Sequence, residues 1–179
     1  MREIMIHLYT GQGKGKTTAA IGLCIRAAGR NFRVCFAQFM KGNDTGELHV
    51  LEHLKGVTVL RSSKNFGFYS AMPDTDKEEL TVIHNRILDR LLETAESGNC
   101  RMIVLDELTY PVKWGLLDTE KLKRLLKAGK EGASGEIEIV VTGRDAAEFL
   151  KEAADYITEM ECVRHPYEKG VAAREGIEF

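Results

Sequence analysis

The segment Thr10-Gly11-Gln12-Gly13-Lys14-Gly15-Lys16-Thr17-Thr18 follows an apolar run, Ile4 to Tyr9, and precedes an alanine-bearing stretch with helical character. Strand, glycine-rich turn and helix N-terminus is the setting in which a backbone wraps a phosphate chain, because the first N–H groups of a helix have no partner of their own. Three glycines let those N–H groups converge without Cβ clashes. Lys16 is then placed to reach the phosphates, and the Thr17 hydroxyl to ligate Mg²⁺. The strict pattern G-x-x-x-x-G-K-[ST] asks for glycine at the first position, where this chain has Thr10. The chemistry indicated is binding of a nucleoside triphosphate.

A second constellation is Arg101-Met102-Ile103-Val104-Leu105-Asp106-Glu107, an apolar strand ending in two acids. In an α/β nucleotide-binding fold such a strand sets a carboxylate beside the nucleotide's Mg²⁺. The second acid could instead polarise a water, so ATP hydrolysis competes with other uses of the nucleotide. Val141-Thr142-Gly143-Arg144 also ends an apolar strand, and ligands gather at the carboxyl ends of parallel strands. Arg144 therefore reads either as a phosphate contact or as a structural ion pair. Gln38 and Lys41, before Gly42, could address substrate from the end of another strand. Phe66-Gly67-Phe68-Tyr69 puts three aromatics in one loop, which serves core packing or a flat apolar ligand. His165 is a candidate metal or acid–base group, though a lone histidine is more often structural. His7 falls mid-strand and reads as core. His49, His53 and His84 fall on helical segments with no second ligand at useful spacing.

These residues need elements to hold them, and the hydrophobic periodicity supplies an α/β alternation. Strands are expected at Ile4–Tyr9, Arg33–Phe39, Val57–Leu60, Met102–Leu105, Glu136–Thr142 and Tyr156–Met160. Helices are expected at Lys16 to Ala28, Glu47–Leu54, Thr75–Ser97, Asp118 to Lys130 with an aspartate cap, and Asp145 to Ala154. Residues Arg61–Pro73 read as loop. The expectation is a single-domain RecA-like P-loop fold over residues 1–179, with a mainly parallel sheet flanked by helices. The chain has 179 residues, 44% hydrophobic and 29% charged, with a net charge of −2. That charge implies no general attraction to nucleic acid or anionic membrane. No apolar run is long enough to span a bilayer and no leader precedes the first strand, so the cytoplasm is the expected compartment. Cys24, Cys35, Cys100 and Cys162 lie far apart without a C-x-x-C pair and offer neither an iron–sulfur centre nor a dithiol.

Taken together, these motifs resemble the P-loop ATP:corrinoid adenosyltransferases of the CobA/BtuR type. The anchors are residues 10–18 with Ala19-Ala20, Gln38-Phe39 with Lys41-Gly42, and Gly67-Phe68. They continue with Val104-Leu105-Asp106-Glu107-Leu108-Thr109-Tyr110, Thr142-Gly143-Arg144, and Val163-Arg164-His165 through Gly170-Val171 to Gly176-Ile177. The family tolerates a residue other than glycine at the position of Thr10. The resemblance implies transfer of the 5′-deoxyadenosyl group of ATP to the Co(I) of a corrinoid, with release of triphosphate. Cobalt is the nucleophile, so no protein base is required. It further implies that ATP lies reversed in the loop. Gly11 to Thr17, flanked by Thr10 and Thr18, cradle the triphosphate. Lys16 neutralises its growing charge, Thr17 and Glu107 hold Mg²⁺ with Asp106 in support, and Arg144 is a further anion contact. Phe68, with Tyr69 beside it, matches the apolar aromatics that press on the lower corrin face and make Co(II) easier to reduce. Some relatives carry a tryptophan where this chain has Ser70, and Tyr69 or Phe66 are candidates for the missing ring. Family members are homodimers and draw electrons from an external donor such as a flavoprotein. From the residues alone, a RecA-like ATPase or switch module is the principal alternative, and a small-molecule kinase a weaker one.

Overall fold

The computed structural model describes residues 4–131 and 137–178. Among them, six strands form one sheet: β1 (Ile6–Thr10), β2 (Val34–Gln38), β3 (Val57–Arg61), β4 (Met102–Asp106), β5 (Glu138–Thr142) and β6 (Tyr156–Glu159). Their order is β3-β2-β4-β5-β1-β6, and every neighbouring pair is parallel. The expected fold class holds, with the sheet parallel throughout. Glu136, where the fifth strand was expected to begin, lies outside the described residues.

Alternate residues of the central strands feed two apolar layers. Val34, Phe36, Met102, Val104 and Val140 face one way, against α1 (Lys16–Ala28) and α2 (Leu48–Leu51). Cys35, Ala37, Ile103, Leu105, Ile139 and Val141 face the other, against α3 (Asp74–Glu96), α5 (Thr119–Glu131) and α6 (Glu148–Ala153). Strands buried on both faces explain why β2 and β4 read as continuous apolar runs rather than as alternation. Helix α1 buries Ala20, Cys24 and Ala27, small residues that let its axis lie close to the sheet. Helix α3 buries Leu80, His84, Ile87, Leu88, Leu91 and Ala95, one stripe at helical spacing. Each large aliphatic in these layers contributes about 1.5–3 kcal/mol by leaving water. Asp118 caps α5 as expected: its Oδ1 accepts from the N–H groups of Glu120 (2.9 Å) and Lys121 (3.2 Å).

Several local features depart from the expectation. The last helix begins at Glu148 rather than Asp145, because Asp145 sits in the left-handed region at φ 51 and cannot continue a right-handed turn. A short helix, α4 (Thr109–Lys113), follows β4 directly, and a 3-10 turn, Tyr69–Ala71, interrupts the aromatic loop. His7 is half-buried rather than core: its Nε2 is 2.6 Å from Glu138 Oε1 and its ring stacks on Tyr156. Cys24, Cys35 and Cys100 are buried free thiols, and Cys162 is exposed. No helix among the described residues is long and apolar enough to cross a membrane.

The α3 stripe contains one polar residue, His84, which is 1% exposed. Its Nδ1 lies 3.0 Å from Leu116 O, and its Nε2 lies 3.4 Å from the backbone N of Met40. Burial disfavours the imidazolium and pushes the pKa down to about 4, the Leu116 carbonyl opposing this. The unfolded chain thus takes up this proton near pH 6.5, whereas the folded chain waits until about pH 4. The stability tied to neutral His84 is fully present above pH 6.5 and is lost as pH falls towards 4. Urea unfolding at pH 7 and pH 4.5 should show a pH-dependent loss about 2–3 kcal/mol smaller in His84→Leu than in the wild type. Equal losses in the two proteins would exclude His84 as the titrating group.

Candidate active site

Residues 11–15 turn the chain from the end of β1 into α1. Gly11 (φ 90) and Gly15 (φ 117) occupy backbone conformations that side chains resist. Gly15 caps α1 without a side-chain hydrogen bond, so the helix N-terminus faces the loop with its N–H groups uncapped by any side chain. Lys16 is buried and folds back into the loop, its Nζ donating to Gly11 O (2.8 Å) and Gly13 O (2.6 Å). Burial, and then the Arg144 charge, pull its pKa down, with Glu107 opposing. A cation held at such cost is poised for an anion. Thr10 ends β1, pairs with Glu159, and is not among the positive-φ residues, so a β-branched side chain fits where the strict motif has glycine.

The loop also has a structural neighbour that the sequence did not reveal. Gly13 N donates to Met160 O (2.6 Å), and Met160 N to Thr10 O (2.9 Å). A Cβ on Gly11 would stand 2.5 Å from Met160 O, and one on Gly13 2.6 Å from Glu161 O. These glycines therefore serve close packing against the chain leaving β6 as well as an open turn. Of the remaining loop side chains, Gln12 is held by Asp145 (2.9 Å), which also pairs with Lys113 (2.8 Å). Lys14 donates to Ile177 O (2.9 Å) and Glu178 Oε1 (2.8 Å). Thr18 lines the adjoining cleft.

The acid pair lies opposite the loop. Strand β5 sits between β1 and β4, so Thr142 comes between the loop and Asp106. Asp106 has no solvent exposure, and both its oxygens are engaged. Oδ1 accepts from Thr17 Oγ1 and Thr142 Oγ1, each at 2.8 Å; Oδ2 accepts from Lys41 Nζ at 2.9 Å and Gln38 Nε2 at 3.5 Å. Burial would lower the Lys41 pKa, but the Asp106 charge and hydrogen bond outweigh it and the net direction is up. Gln38, expected to address substrate, is instead buried under the site and also bonds Glu47 (3.0 Å). Glu107 takes a left-handed conformation (φ 61), its N–H donating to Thr142 Oγ1 (3.0 Å). Its carboxyl is pushed up by burial and then by the Asp106 charge, while Lys41, Lys16 and Arg144 draw it down. Arg144 is exposed, and its charge is felt at Lys16, Glu107 and Tyr110.

Among the described residues no group of three His, Cys, Asp or Glu side chains could hold a metal. Thr17 and Glu107 instead present one hydroxyl and one carboxylate at the cleft. Hard oxygen donors in that number suit Mg²⁺, which completes its shell with phosphate oxygens and water. Two further observations fit. The raised Glu107 would be relieved by a cation, and buried Gln38 Oε1, beside Asp106, has no partner and could accept from a metal-bound water.

The cleft in front of these groups measures about 930 Å³. Thr17, Lys41 and Glu107 form its polar side, and Phe68, Tyr69 and Trp114 its apolar side. Phe68 is 87% exposed. Tyr69 stacks on Trp114 with ring centres 4.2 Å apart and planes 4° from parallel, and Tyr110 continues the stack at 5.1 Å. Trp114 was missed by the sequence reading; its signal was its place four residues after Tyr110, on the same side of a short helix. Phe66, like Tyr69 and Trp114, packs against a small cluster of Met72, Leu80 and Leu116, but it does not line the cleft. Of the two rings offered for the gap at Ser70, only Tyr69 borders the cleft. The tail borders it too, through Gly176, Ile177 and Glu178. His165 caps the 3-10 turn Pro166–Lys169, accepting from Tyr167 N at 3.2 Å, which is the structural role.

Residues 2–179 match the family model described as ATP:corrinoid adenosyltransferase BtuR/CobO/CobP. The chain belongs to this family. Among relatives, the corrinoid adenosyltransferase CobA of Salmonella typhimurium is 33% identical over 180 residues, covering 98% of this chain and 85% of that protein. A corrinoid adenosyltransferase of a Sinorhizobium species is 31% identical over 176 residues, covering 98% and 80%. One from Escherichia coli K12 is 31% identical over 176 residues, covering 98% and 85%. In this chain Thr17 and Thr18, which follow the glycine-rich turn, share one cleft with Phe68, Tyr69 and Trp114.

The Thr142 hydroxyl donates a hydrogen bond to Asp106 and accepts one from Glu107 N. Thr142→Val keeps the shape and removes both bonds, and should cost about 1–3 kcal/mol in urea unfolding. It should also weaken Mg·ATP binding in calorimetry at least threefold. Unchanged binding would separate Thr142 from the site.

Proposed function

We propose that this protein transfers the 5′-deoxyadenosyl group of ATP to the Co(I) of a corrinoid. The cobalt electron pair forms a bond to the ribose C5′, the C5′–O bond breaks, and inorganic triphosphate leaves with that bond's electrons. Membership of the family over the whole chain supports the reaction. The observation that carries it to these residues is the cleft whose lining joins Thr17, Thr18 and Glu107, at the end of the loop, to Phe68 and the Tyr69–Trp114 stack.

In this reading the residues 11–18 bind the triphosphate, and Lys16 exchanges its loop carbonyls for phosphate oxygens. That exchange counters the charge that accumulates on the leaving group, so the lysine acts most strongly as the bond breaks. Arg144 adds positive charge at the same end. Thr17 and Glu107 would hold Mg²⁺, with Asp106 orienting Thr17 from behind; when bound, the ion neutralises polyphosphate charge. Lys41 steadies Asp106, and Gln38 belongs to the support rather than to the substrate surface. Phe68 and Tyr69, backed by Trp114, present an aromatic face to the corrinoid. Hydrolysis by a RecA-like ATPase is not favoured, since it gives the exposed aromatic wall no task. We further propose a cytoplasmic homodimer that takes electrons from a separate donor such as a flavoprotein.

ATP, Mg²⁺ and chemically reduced cobalamin should yield a light-sensitive adenosylated product and one triphosphate per turnover. Formation of ADP without corrinoid dependence would sink the reading. Lys16→Ala should lower turnover at least a hundredfold. Phe68→Ala should lose at least ten times more activity when Co(II) is reduced on the enzyme than when Co(I) is supplied; equal losses would remove Phe68 from the reduction step.

A further inference from the structure

His84 touches neither the phosphate loop nor the acid pair, yet its two ring nitrogens join the segments that form opposite sides of the cleft. Its Nδ1 lies 3.0 Å from the carbonyl of Leu116, two residues beyond Trp114. A carbonyl only accepts, so Nδ1 carries the proton and Nε2 is left as an acceptor. That acceptor faces the N–H of Met40 at 3.4 Å. Met40 is a non-glycine residue at φ 59, a sparsely populated conformation that persists only where its surroundings fix it.

The surroundings of Met40 are fixed from three sides. Phe39 N donates to Asp106 O at 2.9 Å, and the Phe39 ring packs against the His84 ring with centres 5.3 Å apart. On the far side Gly42 abuts the backbone of Lys64 and Asn65 so closely that no Cβ could be accommodated. Between these points the chain reverses, and the reversal aims Lys41 back at Asp106 Oδ2. With the Met40 N–H unpaired, the turn would lose the bond that selects its left-handed conformation, and Lys41 its aim.

We propose that His84 is a positioning residue for the reaction: its neutral imidazole holds the Met40 turn, and through it sets Lys41 against Asp106. The inference rests on the reading of Asp106 and Thr17 as the Mg·ATP end of the site. Lys41 occupies one oxygen of Asp106 while Thr17 and Thr142 share the other. A misdirected Lys41 leaves Oδ2 with only the 3.5 Å contact from Gln38, which loosens the carboxylate that orients Thr17.

The test is a double-mutant cycle on the full chain, using His84→Leu, His84→Gln, Lys41→Ala and His84→Leu with Lys41→Ala at pH 7.5. Mg·ATP binding is measured by calorimetry and adenosylation with chemically supplied Co(I), on samples shown to be folded by thermal melting. Lys41→Ala and His84→Leu should each weaken Mg·ATP binding about tenfold and lower kcat/KM for ATP similarly, with the corrinoid KM within twofold of wild type. The double variant should be no worse than Lys41→Ala by more than twofold, because both changes break one device. His84→Gln, whose amide oxygen can accept from Met40 N, should recover most of the loss. Losses that multiply, a Lys41→Ala variant that binds as wild type, or a His84→Leu variant that melts earlier yet binds and turns over normally would each overturn the inference. If His84→Leu does not fold, the same cycle is run with His84→Gln and His84→Asn. Failure of the wild type to adenosylate would instead strike the functional reading, while the binding cycle still decides the role of His84.

Discussion

The Asp106 carboxylate, fully buried at the end of β4, draws its four hydrogen bonds from four side chains on three separate pieces of the chain. Thr17 comes from the first turn of α1, Thr142 from the end of β5, Lys41 from the turn after β2, and Gln38 from β2 itself. An ionised carboxylate taken out of water without partners costs several kcal/mol, so these contacts act as a set. Satisfying Asp106 fixes the relative positions of the phosphate loop, the central strands and the wall of the cleft. Removing one partner of a buried ion pair costs about 3–5 kcal/mol. The same contacts therefore hold both the fold and the lining of the cleft.

Strand order makes this convergence possible. β5 lies between β1 and β4, and a residue at its end is thereby interposed between loop and acid. Thr142 suits the place because a hydroxyl can donate and accept at once, here to Asp106 and from Glu107 N. Gly143 follows at φ 142, a backbone conformation that side chains resist, and so close to Thr109 that a Cβ would collide with the Thr109 hydroxyl. The apolar half of the site is organised differently. Tyr69 and Trp114 hold each other by stacking, which keeps both rings upright and leaves Phe68 uncovered at the mouth.

Much of this was legible in the chain. The strand–glycine–helix sequence around residues 10–18, the acids after an apolar strand and the Thr142-Gly143-Arg144 ending each depend on local chemistry, and each lies where its pattern implied. Local pattern failed where a residue's role depends on something distant. Gln38 read as a substrate contact because it ends a strand, but Glu47 and Asp106 draw it below the surface. Gly11 and Gly13 read as phosphate glycines, with no sign that Met160 and Glu161 pass against them. His84 read as an unremarkable helical histidine because both its partners are backbone atoms, which leave no mark in sequence.

What the sequence by itself determined is the chemistry within reach: a glycine-rich turn before a helix, an acid pair after an apolar strand, aromatic surface and an alternating α/β frame. Those follow from residue type and short spacing, and short spacing is preserved on folding. Tertiary structure alone decided which partner each polar group takes. It bound Lys41 to Asp106, gave Tyr69 rather than Phe66 to the cleft, brought Trp114 to back it, and set His84 between Met40 and Leu116. The physical reason is that a buried donor or acceptor must be satisfied by whatever the packed chain brings within about 3 Å, and that neighbour comes from anywhere in the sequence.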